Sequence, residues 1–237
     1  MRRSITLFAI LFVMQGQLPN HLAAADQLSA TQILSQMLDK YRNCQSYRDT
    51  GVNKVIYHSQ DEGDRTDESP FKTTFVRPNR FRLEYGEVSG EDRTKKRPYI
   101  FWTNGTDTRK WRDVAQEEEK PESLATALLY AHGSTFHTST TIPTFLDLTT
   151  ISWFPPSTDE LKKLPDERLG EVDCFRIQTT DLKQNVRTLW IAKDTYLLRR
   201  FDVLPPKSPN SGFWFEVSMT YEPSIDESIP DKELEFK

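Results

Sequence analysis

"TTFVRPNRFRLEY", Thr73 to Tyr85, sets two β-rich runs on either side of an arginine, a proline and an asparagine. Side chains of a strand point alternately to opposite faces, so residues two apart share a face. Phe71, Thr73 and Phe75 share one parity, and the same parity carried forward puts Arg77 on the apolar face. A guanidinium there must find a partner, because an unpaired buried charge is not tolerated. The other reading is a strand-end arginine that reaches solvent beside Pro78.

The pattern extends outward from this stretch. Strand-like runs are expected at Val52–His58, Lys72–Val76, Arg80–Tyr85, Tyr99–Thr103 and Thr106–Arg112. Asn104-Gly105 is read as a type I′ hairpin turn in preference to a glycosylation sequon with Thr106. Further strands are expected at Cys174–Thr180, Asn185–Ala192 and Leu197–Val203, with a turn at Lys193-Asp194-Thr195. Phe213, Phe215, Val217, Met219 and Tyr221 share one parity of the next strand, and Glu233–Phe236 reads as the last. Ahead of the strands, Ser29 and Gln32 have capping-box spacing, and Ile33, Leu34, Met37, Leu38 and Tyr41 recur at helical intervals, predicting a helix over Ala30–Asn43. Two short helices interrupt the strands. One runs from Pro121 as a first helical position through Leu124, Ala127, Leu128 and Ala131 to Gly133; the other begins at Pro143 and carries Phe145, Leu146, Leu148 and Ile151. They are expected to lie across the sheet as a cover. Asp61–Glu68 and Leu204–Gly212 read as long loops.

The chain opens MRRSITLFAILFVM and reaches Ala23-Ala24-Ala25 before Asp26, the charged, apolar, small-residue order of a secretory signal peptide. The apolar run is shorter than the ~20 residues a bilayer span needs. Residues 1–25 are therefore expected to be removed, leaving 26–237 as one exported, periplasmic domain; an uncleaved anchor is the other reading. The formal charge is −4, and more acidic without Arg2 and Arg3, which argues against nucleic acid as a partner. Cys44 and Cys174 are the two cysteines. In an exported chain a structural disulfide between them is expected, with free thiols as the alternative. Only His58, His132 and His137 remain after cleavage, and no GxSxG, HExxH or glycine-rich phosphate loop is present. Neither an enzyme, a metal site nor a cofactor is expected.

The run Val76-Arg77-Pro78-Asn79-Arg80-Phe81-Arg82 resembles the "RPN–F" segment of the LolA-like superfamily, the periplasmic lipoprotein carriers with their relatives LolB, RseB and LppX. Thr188 to Asp194, followed by Leu197-Leu198-Arg199, resembles the family's tryptophan-bearing hairpin, and Tyr221 to Phe236 is similar to its close. The resemblance implies a mainly β (α+β) fold: an incomplete antiparallel barrel of about ten strands, with an N-terminal helix and a helical lid over an apolar cavity that takes acyl chains. It implies that Arg77 latches the lid through backbone carbonyls. A helix C-terminus leaves four of these unpaired, and a guanidinium offers five donors. Phe75, Phe81, Leu83, Trp190, Phe213, Phe215, Val217 and Met219 are the wall expected under this reading, with Leu124, Leu128, Phe145 and Leu148 on the lid. The implied activity is a monomeric carrier of a lipoprotein or lipid acyl chain, with membrane-complex donors or acceptors. A sensor of RseB type that binds a regulatory membrane protein is the alternative, and a cavity filled by its own side chains is a third possibility. Relative to the carriers, the chain stops at Phe236-Lys237, has longer loops and carries the cysteine pair.

Overall fold

The computed structural model describes residues 28–90, 92–149, 161–206 and 212–236. The expected signal peptide and Ile151 lie outside the described residues. Helix α1 spans Ala30–Asn43, as predicted. Ser29 Oγ accepts from Gln32 N, and Gln32 Oε1 accepts from Ser29 N at 2.8 Å, which closes the capping box. Its apolar stripe, from Ile33 to Tyr41, is buried in the core.

Among the described residues twelve strands follow: β1 (Ser46–Ser59), β2 (Arg65–Val76), β3 (Arg80–Val88), β4 (Lys96–Thr103), β5 (Thr108–Arg112), β6 (Glu117–Glu119), β7 (Lys162–Leu169), β8 (Val172–Thr180), β9 (Val186–Ala192), β10 (Leu198–Leu204), β11 (Phe213–Tyr221) and β12 (Ser224–Ile225). They form one antiparallel sheet in the order β6-β5-β4-β3-β2-β1-β11-β10-β9-β8-β7, with β12 beside β1. Two meanders thus meet where Val55 of β1 stands opposite Val217 of β11. The edge strands β6 and β7 are consecutive in sequence, so the chain leaves one edge and re-enters at the other. On that crossing lie helices α2 (Leu124–Tyr130) and α3 (Thr138–Phe145), packed over the concave face. The fold is mainly β, an unclosed curved sheet with helices on its inner side, as expected.

Several local expectations are corrected. Asn104-Gly105 lies in a four-residue connection, because Thr103 pairs with Thr108; Asn104 Oδ1 organises it by accepting from Thr106 N and Asp107 N at 2.9 and 2.8 Å. β2 begins at Arg65, inside the expected 61–68 loop, and turns Asp67 to the interior, where Arg93 Nε donates to it at 2.8 Å. α2 is capped by Ser123, not opened by Pro121, and ends before Gly133. α3 starts five residues before Pro143, which falls inside it. The C-terminal run forms a 3₁₀ turn at Asp231–Leu234 in place of a strand, and Trp102 Nε1 donates to Leu234 O at 2.6 Å to pin it to the sheet. Gly51 on β1 is required by packing: an added Cβ would stand 2.3 Å from the Phe71 ring and 2.2 Å from Thr220 O.

Candidate functional site

The concave face is built from one parity of each strand. Phe75, Phe81, Leu83, Val217 and Met219 lie on it, all but fully buried, in one core with α1, Leu128 and Phe145. Phe215, Leu124 and Leu148 are partly buried against that core. Phe213 stands at the rim, 54% exposed, its ring 6.0 Å from that of Tyr57. Trp190 is not part of the wall. Leu189 and Ile191 face the core, so the intervening Trp190 is on the convex side, between the guanidinium carbons of Arg176 and Arg200, 5.1 and 4.6 Å from its ring. Among the described residues, the wall and lid side chains thus fill each other's space. A cavity of about 80 Å³ remains at the rim, lined by residues including Tyr57, Asp67, Tyr85 and Phe136.

The interior also holds polar groups that the sequence reading missed. On β1, Tyr47, Asp49, Asn53 and Val55 share the concave parity and are all buried. Asp49 Oδ2 accepts from Tyr47 Oη at 2.6 Å, and Oδ1 accepts from Thr73 N at 2.9 Å. Burial raises the Asp49 carboxyl to about 6, and the hydrogen bonds from Tyr47 and Thr73 restrain the rise. Asn53 faces the lid. Its Nδ2 lies 3.1 Å from Thr135 O, 3.0 Å from Phe136 O and 2.6 Å from Thr138 Oγ1. One amide therefore ties the elbow between α2 and α3 to the middle of the sheet. The parity rule that singled out Arg77 was the signal for both residues.

Arg77 does bind helix-terminal carbonyls, but those of α1 and not of the lid. Nε donates to Cys44 O at 2.8 Å, and Nη2 lies 2.6 Å from Arg42 O and 3.1 Å from Tyr41 O. It holds the lid only indirectly, since the Tyr41 ring it steadies rests 5.5 Å from that of Phe145.

At the lid elbow, His132 and His137 meet edge to face with ring centroids 4.3 Å apart, and His132 Nδ1 is 2.7 Å from Thr140 Oγ1. Burial, then the neighbouring His132 and Arg187, lowers His137 to about 3. Burial chiefly, with Arg187 and Lys183, lowers His132. Both imidazoles are thus neutral at physiological pH.

The expected disulfide is not formed: Cys44 and Cys174 are free and buried. The Cys44 thiol sits in the core and donates to Tyr41 O at 3.2 Å. Cys174 alternates with the core-facing Phe175, so its side chain lies on the convex side of β8. Burial is the leading cause that raises both thiols, Cys174 to about 11, so neither is an activated thiolate.

No family model and no curated protein matches the sequence. Solved structures do. An uncharacterized conserved protein from Thermus thermophilus is 10% identical, with 86% of this chain and 91% of that chain covered and a TM-score of 0.45. A LolA superfamily protein from Nitrosomonas europaea is 11% identical, with 88% and 98% covered and a TM-score of 0.34. A structure of the Pseudomonas aeruginosa MucA/MucB complex is matched at 12% identity, with 87% and 60% covered and a TM-score of 0.45.

Proposed function

We propose that residues 26–237, released by cleavage after Ala25, form an exported, monomeric, non-enzymatic binding protein that takes an acyl chain of a lipid or lipoprotein beneath α2 and α3. The observation that carries this reading is the lid itself. It is a cover of two short helices, held at its elbow by Asn53, whose Leu128, Phe145 and Leu146 occupy the apolar concave face. These side chains stand where a ligand chain would lie. Withdrawing three of them costs roughly 5–9 kcal/mol, which about 6–11 buried methylenes offset at ~0.8 kcal/mol each. A long acyl chain meets that requirement, and a short one does not.

The test is native mass spectrometry with lipid extraction on the exported, processed protein, followed by titration with a fluorescent fatty acid. A bound lipid or saturable probe binding is expected; an empty protein that also ignores the probe overturns the reading. Asn53→Ala sharpens the test. Loss of the amide loosens the closed lid by about 1–1.4 kcal/mol, so a probe that selects the open state binds roughly five- to tenfold more tightly. Faster hydrogen exchange over residues 131–145 is expected alongside. Unchanged affinity would remove Asn53 from lid control.

The concave face, filled among the described residues, favours a second reading, an extracytoplasmic module that binds a regulatory membrane protein; one of the similar structures, MucB, is solved in complex with MucA. Such a protein would ignore the fatty-acid probe.

A further inference from the structure

The concave face changes polarity along its strands. On β3 the inward parity runs Phe81, Leu83, Tyr85, Glu87, and on β2 Phe71 gives way to Ser69 and Asp67. The apolar part belongs to the core shared with Leu128 and Phe145. The polar part lines the cavity of about 80 Å³, together with Arg93 and with Ser134 and Phe136 of the lid elbow. Val55 and Tyr85 belong to both core and cavity, so the cavity borders the apolar face directly.

The charges of this cavity are already matched within the chain. Asp67 accepts from Arg93 Nε at 2.8 Å and again from Arg93 Nη2, with Arg65 Nε 3.8 Å away. Glu87 accepts from Arg112 Nε at 2.9 Å and likewise from Arg112 Nη2. A charged head group would have to break one of these forks or stay uncompensated beside buried groups, and either is costly. The capacity for hydrogen bonds is not used up. An ionised carboxylate offers about four acceptor sites, of which each fork takes two, and the hydroxyls of Ser69 and Tyr85 bring more. Opposite Ser69 in the β1–β2 register stands Asn53, whose buried Oδ1 accepts no hydrogen bond among the described residues. What the cavity lacks is donors on a group without charge. Its volume is several times the ~10–15 Å³ that one water needs, which admits a group of a few heavy atoms.

We propose that this cavity is the head-group subsite for an amphiphile with an uncharged, hydroxyl-bearing head, whose acyl chain lies along the apolar concave face. The subsite deepens the acyl-carrier reading and rests on it. A hydroxyl both donates and accepts, so it engages the remaining carboxylate lone pairs without disturbing either fork.

The test is displacement of the fluorescent fatty acid from the exported, processed protein by monooleoylglycerol, oleate and oleylamine, each below the concentration at which it aggregates. Monooleoylglycerol is expected to bind roughly tenfold more tightly than either charged amphiphile, through the hydrogen bonds of its two hydroxyls. Ser69→Ala lowers its preference over oleate about three- to tenfold. Glu87→Gln leaves Arg112 without its countercharge and moves the preference toward oleate in the same sense. Ser218→Ala, on the outward parity of β11, leaves the preference as it is. Urea midpoints verify that the variants fold. Equal displacement by the three amphiphiles, a tighter charged one, or a preference that survives both Ser69→Ala and Glu87→Gln overturns the subsite and leaves the acyl-carrier reading standing. A protein that binds neither the probe nor any of the three overturns both.

Discussion

Replacing Arg77 by methionine lowers global stability by about 3 kcal/mol, read as a fall in the urea midpoint at unchanged slope. Three carbonyls at the end of α1, those of Tyr41, Arg42 and Cys44, lose their charged donor together. Arg42 O is the most exposed of the three bonds, so water replaces part of what is lost there, while the other two lie in part-buried surroundings. A hydrogen bond from a charged group contributes about 1.5–3 kcal/mol, and an unsatisfied buried acceptor costs about 1–3 kcal/mol. Summing all three at the upper limit would overstate the effect, because the carbonyls belong to one helix end that frays as a unit. Arg77→Lys keeps the charge but not the planar fork, and recovers less than half of the loss. The damage also travels. Tyr41 Oη accepts from Leu198 N at 3.1 Å and its ring supports Phe145, so the end of α3 should exchange hydrogen faster in the methionine variant. A midpoint within about 0.5 kcal/mol of wild type would show that the three contacts are incidental.

Arg77 also marks what the sequence could disclose. A charge on an apolar parity is visible without a structure, and the physical demand for carbonyl partners is met; which helix supplies them is a tertiary matter. The same parity, carried back along β1 from Val55, exposes Asn53 and Asp49 as inward polar groups, so the clamp on the lid was legible in principle. Trp190 was not. It lies in the run Arg187–Ala192, buried on both faces of β9, and an apolar run without alternation does not say which side is inside. β7 reads KKLPDERL, with a proline and alternation broken by a register shift between Leu164 and Glu167, so an edge strand there carries no periodic signal. α3 reads TSTTIPTF, β-branched and proline-bearing, with seven of its eight residues buried. Its helix is imposed by the packing around it against its local preference, which is why its start was placed at the proline.

Two buried groups with opposite responses to acid predict a pH profile that neither alone would give. His137 is lowered to about 3 in the folded protein against 6.5 for a free imidazole, so the unfolded chain binds more protons between those values. Its contribution is fully present above pH 6.5 and is lost as the pH falls below it. Asp49 is raised to about 6 against 3.8, so the folded state holds the extra proton, and stability is gained as the pH falls from about 6 toward 3.8. Each response has a slope of about 1.4 kcal/mol per pH unit, and from about pH 6 to pH 4 they oppose. His137→Asn is the right probe of one arm, because position 137 has φ 73° and asparagine accepts the left-handed region. Relative to wild type, this variant gains stability on acidification through that range, and Asp49→Asn loses it by a similar amount. The groups facing His137 are His132, Arg187 and Asp181, and Lys183 acts on His132. Of these, His132 is itself an imidazole lowered by burial and acts in the same direction as His137, so His132→Gln should leave the sign of the His137→Asn difference unchanged. Urea midpoints at half-unit steps decide the matter: parallel curves for wild type and His137→Asn would mean that the imidazole is protonated in place without cost. Opposed slopes for the two variants would identify the lid elbow and the tyrosine-bound carboxylate as a compensating pair, which keeps the fold equally stable as the pH changes.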